Sequence, residues 1–275
     1  NANLVIDPKP ITISGITAVN KVYDGSASIS LSKPVVTDLG FLSRDNIVIT
    51  TTGAISTGSP DVVTAGTVTL TQSYTGTTSN YTIIDQSTSP TVNITQLSSV
   101  TWTGASSGTW STASNWAGGA IPTANNVAVV IIPSGNVVVF DTDNVGTIGS
   151  TITNNGGVNF NGSNNFTFAQ VISGSGSLTK SGSNTLTLSA TNSYEGITTV
   201  SNGTLVITNA SALGAYGSGQ GTIISSEATL SISGGLTIAE PLVTSGTLAF
   251  TAGNNIYSGA ISLEESSSIT SSSGQ

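Results

Sequence analysis

The sequence predicts an all-β protein, a small β-sandwich or Greek-key domain followed by a solenoid, and three observations carry that expectation. A strand phrase returns four times, as Thr185-Leu186-Thr187-Leu188, Thr204-Leu205-Val206-Ile207, Thr229-Leu230-Ser231-Ile232 and Thr247-Leu248-Ala249-Phe250, each set off by Gly, Asn or Ser. One rung of such a repeat cannot bury its apolar face alone and must stack on its neighbours. β-Branched residues alternate with Thr, Ser or Asn along most of the chain, while helical periodicity is nearly absent. Only 7% of the 275 residues are charged, so hydroxyls and amides take the surface positions that Lys and Glu usually fill.

Cys, Met and His are all absent. That removes disulfides, thiol nucleophiles and the imidazole that serves metal binding or proton transfer near neutral pH. The net charge of −8 is unevenly divided: Lys9, Lys21, Lys33 and Arg44 all precede residue 98, and Lys180 is the sole cation after it. With no basic patch and few aromatics for stacking, nucleic acid is not an expected partner. No stretch approaches the ~18 apolar residues of a membrane span.

In chain order, Asn3-Leu4-Val5-Ile6 reads as a strand within residues 1–7 that belongs to a preceding domain or completes a neighbour's sheet, so a longer parent chain is expected. Asp7-Pro8-Lys9-Pro10 reads as a linker, because prolines lack the amide donor a central strand needs. Residues 8–97 then carry strands at 11–13, 29–31, 47–51, 68–72, 81–84 and 91–94, the spacing of a small sandwich. Tyr23-Asp24-Gly25 is a turn, with Asp accepting backbone hydrogen bonds and Gly taking positive φ.

Lys21-Val22-Tyr23-Asp24-Gly25, Arg44-Asp45-Asn46-Ile47 and Asn80-Tyr81-Thr82-Ile83, placed between the Pro-Lys-Pro run and a closing Val92-Asn93-Ile94-Thr95 strand, resemble the YDG-type repeat domain. That domain occurs in arrays within large bacterial hemagglutinin-like adhesins. Thr77-Thr78-Ser79 departs from the acidic, glycine-containing turn usual there.

From Val100 the texture changes. Trp102, Trp110 and Trp116 are the three tryptophans of the chain. They are expected to cover the first rung of a solenoid, where bare strand edges would otherwise face water. The rival role is a carbohydrate platform, since indole faces stack on sugar rings. An apolar run at Val127–Ile132 follows.

Farther on, Gly174-Ser175-Gly176-Ser177-Leu178-Thr179-Lys180-Ser181-Gly182, then Thr185-Leu186-Thr187-Leu188, Asn192-Ser193-Tyr194-Glu195-Gly196 and Asn202-Gly203-Thr204-Leu205 resemble the passenger-associated transport repeat of autotransporter-type proteins. The resemblance implies that residues 98–275 form a right-handed parallel β-helix in a secreted passenger or adhesin. In such a helix Leu186, Leu205, Leu230 and Leu248 make an inward column, flanked by Leu188, Ile207, Ile232 and Phe250, with the intervening Thr facing outward. Asn154, Asn155, Asn159, Asn161, Asn164 and Asn165 are candidates for amide ladders at the turns.

Parallel β-helices also host polysaccharide lyases and hydrolases, whose sites need closely spaced carboxylates, often with Arg or Lys. Residues 98–275 contain no Arg, and Lys180 is expected in a solvated turn. Asp141 and Asp143, sharing one face of a strand, form with Asn144 a candidate Ca²⁺ site that lacks a further acidic ligand at fixed spacing. Neither a catalytic residue nor another cofactor is expected. The sequence therefore reads as a non-enzymatic fragment of a secreted bacterial surface protein, the stalk or scaffold of a large adhesin in cell-surface or biofilm contact. Expected partners are a glycan or a receptor on a host or neighbouring cell, and copies of itself. Two other readings remain open, a subunit of a self-assembling extracellular filament or sheath and a polysaccharide-active β-helix enzyme.

Overall fold

A computed structural model describes residues 6–59, 61–141, 150–217 and 220–272, the side chains of residues 37 and 38 excepted. These residues form strands, turns and a few short 3-10 segments, with no α-helix among them. Contacts divide the chain into two units, Asn1–Gln96 and Leu97–Gln275. Of the strand expected at residues 3–6, only Ile6 is among the described residues, and it is exposed.

The first unit has two layers. Its main sheet orders the strands Lys21–Val22, Thr91–Thr95, Val63–Thr75, Val48–Ile55 and Ser28–Ile29, antiparallel except where the first two run parallel. Opposite lies a parallel pair, Lys9–Thr12 with Tyr81–Ile84. Ile11, Ile13, Ile16, Phe41, Ile47 and Tyr81 fill the space between, against Ile49, Leu70 and Tyr74 of the main sheet. Pro10, expected in a linker, stands inside the first of these strands. It is tolerated because that strand pairs on one side only, so the missing amide breaks no ladder on the other.

The second unit is a β-solenoid of about seven turns. One sheet stacks Leu97–Thr101, Val127–Ile132, Thr151–Asn154 and Ile172–Ser173. A second has eight strands and a third six, and every strand pair in the unit is parallel. Parallel pairing follows from coiling, since each strand meets its counterpart one turn later. At the usual ~4.8 Å between strands, the eight-stranded sheet extends roughly 34 Å along the stack.

Register turns the repeated phrase into a column. Leu186 lies beside Leu205, Leu205 beside Leu230, and Leu230 beside Leu248. All four are fully buried, as are Leu188, Ile207 and Ile232, whereas Phe250 is half-buried. Each buried leucine contributes about 1.5–3 kcal/mol. The threonines between them, Thr185, Thr187, Thr204, Thr229 and Thr247, are partly exposed, as alternation along a strand requires.

The turn glycines of the repeat answer to the tightness of the stack. A Cβ on Gly196 would come 2.5 Å from the carbonyl oxygen of Gly176 one turn below. Gly203 has φ +66, and a Cβ there would meet the Asn184 oxygen at 2.5 Å. Side chains at these corners would push the rungs apart.

Candidate functional site

The solenoid begins with an aromatic assembly. Trp102 and Trp116 form an antiparallel bridge, with ring centroids 5.1 Å apart edge to face. Trp116 meets Trp110 edge-on at 4.7 Å and donates its indole N–H to the Trp110 carbonyl. Trp110 stacks on Phe140 at 4.7 Å, and Phe140 on Phe160 at 4.6 Å. Strand register imposes this spacing, so the rings continue the column rather than form a separate cluster. All three indoles are buried, leaving no free face for a sugar ring.

The next residue of that column is Lys180, in register with Phe160. Expected in a solvated turn, it is instead fully buried. Its ammonium donates to the carbonyls of Gly182 and Asn202, the backbone groups that close two successive turns. Burial lowers its pKa to about 8. Leu178 and Lys180, two apart in one strand, share the inward face.

A second polar set runs inside the stack. Thr198 and Thr222 occupy neighbouring inward positions in register. Tyr194 Oη and Thr198 Oγ1 lie 2.7 Å apart, and Thr222 Oγ1 donates to Glu240 Oε1 at 2.6 Å. Tyr257, whose buried hydroxyl has no hydrogen-bond partner among the described residues, is close enough to Glu240 for the carboxylate charge to act on it. Glu240 is 4% exposed, and burial raises its pKa from 4.5 to about 7, against the hydrogen bond from Thr222. The groups facing it are thus Thr222, Tyr194 and Tyr257, and none is a cation.

The sign of the resulting pH dependence follows from that shift. An unfolded chain releases the Glu240 proton near pH 4.5 and the folded chain only near 7. The stabilisation is therefore complete below about pH 4.5, declines as the pH rises towards 7, and is gone above it. Its size is at most about 3 kcal/mol. Glu240→Gln is expected to flatten this decline, leaving the variant the more stable protein at about pH 8, with little difference at about pH 4. Chemical denaturation at both pH values measures it, and parallel curves for the two proteins would refute it.

Asp141, the first residue of the candidate Ca²⁺ site, follows the strand Val137–Phe140 rather than lying within it. Both its carboxylate oxygens accept from Ser111 Oγ, at 3.0 and 2.8 Å. Asp143 and Asn144 lie outside the described residues. Among those described, no three acidic residues are grouped to hold a metal ion. The amide ladder takes a different form from the one expected. Of the six asparagines named for it, Asn154 alone is buried. Asn154, Asn184 and Asn192 direct their amides to the backbone carbonyls of Ser177, Asn164 and Ala212.

In the first unit the motif residues converge. Asp24 accepts from Lys21 Nζ at 2.6 Å and from the Ser26 amide, bonds that hold its carboxyl below the usual range, while Gly25 takes φ +73. Asp45, buried, accepts from Tyr81 Oη at 2.5 Å and from the Asn80 amide at 3.4 Å, although 36 positions separate it from the tyrosine. Tyr81 Oη in turn accepts the Leu42 amide. The bond to Asp45 holds the Tyr81 phenol above its ordinary pKa. Sequence reasoning read these two motifs separately, and pairing between distant positions leaves no local signal.

Residues 7–91 match the YDG domain, and residues 178–207 and 245–265 match the Passenger-associated-transport-repeat. The second repeat match contains the Thr247-Leu248-Ala249-Phe250 phrase. No curated protein and no solved structure shows significant similarity to the chain. The passenger repeats suggest an autotransporter passenger and hence an extracellular or surface protein. No helix of the described residues is long and apolar enough to cross a membrane.

Proposed function

We propose that the chain is a non-enzymatic scaffold segment of a secreted bacterial adhesin, acting in cell-surface or biofilm attachment. In this reading residues 8–97 are a display module and residues 98–275 a stalk, its first rung closed by Trp102, Trp110 and Trp116. The observation that carries it is the run of buried columns from Val138 and Phe140 to Leu242 and Thr244 in the eight-stranded sheet, which spends the inward side chains on stacking. The passenger-repeat matches support the same reading. Its partners are a glycan or a receptor on a host or neighbouring cell.

Bacteria displaying the intact chain are expected to adhere to glycan- or cell-coated surfaces. A display variant in which residues 98–275 are replaced by a flexible linker should hold less firmly under flow. Equal attachment by the two would overturn the stalk role. Incubation with acidic polysaccharides is expected to release no unsaturated products, and their appearance would move the chain to the enzymes.

A further inference from the structure

Most of the motif residues of the first unit have a structural use. Ile47 lies in the core, Asp45 and Tyr81 bond to each other, Asn80 reaches Asp45, and Asn46 takes the left-handed backbone that ends a 3-10 turn. Arg44 has no such use. It is exposed, and its guanidinium has no hydrogen-bond or ion-pair partner among the described residues. Its charge reaches Tyr81, but an arginine whose donors the fold leaves unbonded is available to something else.

Arg44 lines a cleft of about 460 Å³ within this unit, together with Asp7, Lys9, Ser79, Asn80 and Tyr81, while Pro8 and Leu42 supply apolar wall. Lys9 is held there by its bond to the Gly40 carbonyl at 2.8 Å. The Tyr81 hydroxyl is taken up by Asp45, so the tyrosine offers the cleft its ring and not its polar tip. Two of the five basic residues of a chain of net charge −8 therefore stand around one concavity.

We propose that this cleft binds an acidic sugar, a uronate residue of a polysaccharide, with the Arg44 guanidinium receiving the carboxylate. A planar fork of donors matches a carboxylate in two parallel bonds. Charge balance selects the ligand. Lys9 and Arg44 stand against Asp7 in the lining, and Asp45 lies buried behind Asn80 and Tyr81, so the attraction for an anion is local to the Arg44 fork and suits a group with a single negative charge. Asp7 repels a doubly charged phosphate monoester, yet accepts hydrogen bonds from sugar hydroxyls. Asn80 and Ser79 both donate and accept, as hydroxyls require. A peptide terminus would also satisfy Arg44, but it would leave this hydroxyl-matching lining unused. The cleft volume accommodates a sugar ring with room for its neighbour in a chain.

The inference deepens the proposed adhesive role by naming the class of glycan, and it is testable apart from the stalk. Oligogalacturonate trimer is titrated into the whole chain and followed by calorimetry and by the amide NMR signals of Arg44, Ser79 and Asn80. Saturable binding is expected, weaker at high salt, and absent for the neutral galactose trimer. Arg44→Gln should weaken it about ten-fold or more. Lys33→Gln, which removes the same charge outside the cleft, should leave it unchanged. Unchanged unfolding of both variants shows that the loss is not a loss of fold. No saturation by about 20 mM overturns the assignment, as does equal affinity for the neutral trimer, equal loss with Lys33→Gln, or tighter binding of a free peptide carboxyl terminus. Each of those outcomes leaves the attachment and flow results of the scaffold reading standing.

Discussion

Leu205→Asp is expected to break the solenoid in its middle. Leu205 is fully buried between Leu186 and Leu230 in the six-stranded sheet. The substitution removes the leucine, at about 2–5 kcal/mol, and puts a carboxylate where water is excluded. The only cation beyond residue 97, Lys180, is already engaged by the Gly182 and Asn202 carbonyls. The combined cost is comparable to the ~5–15 kcal/mol that hold a typical domain together. Because a rung contacts chiefly its neighbours, the damage spreads along the stack. Rungs after residue 205 are expected to lose amide protection, while the first unit keeps its own unfolding transition. Hydrogen exchange with peptide-level readout decides it. Protection of Ala228–Ser233 equal to that of the unsubstituted protein would show that the column does not hold the rungs together.

Trp110→Ala should be the most damaging change at the other end of the stack. Trp110 joins the two other indoles to the Phe140–Phe160 stack, so its removal opens a large cavity and bares Phe140 to solvent. Aromatic truncation in a core costs about 3–5 kcal/mol. The loss is expected first in Ser107–Thr109 and Val137–Phe140, as faster exchange and a weaker near-ultraviolet signal. Trp110→Phe, which keeps a stacking ring, should recover most of it. If the alanine variant exchanges no faster there, the aromatic assembly does not close the first rung.

How much of this was legible in the sequence depended on whether the signal was local. Alternation with turns between marked the longer strands of the first unit, though not the two-residue strands Thr17–Ala18 and Lys21–Val22, and the recurring phrase marked Leu186, Leu205, Leu230 and Leu248 in the order in which they stack. Residues that depart from their type's habit were not legible. Lys180 shares the inward face with Leu178, and that spacing was visible, but lysine is so seldom buried that the turn reading prevailed. What outweighs the habit is the need of two turn carbonyls for a donor. Glu240 gave even less warning, because its inward placement depends on Thr222 of the adjoining turn. The ring column of Trp110, Phe140 and Phe160 joins residues of unequal spacing, and the cleft around Arg44 needs chain segments far apart in sequence.

The parallel register has one more implication. When each coil bonds only to the coil above and the coil below, a whole coil can be duplicated or excised without disturbing the rest. Reach then becomes a heritable dimension, changed by the gain or loss of whole coils, and a lineage can lengthen or shorten the stack without having to invent a new fold.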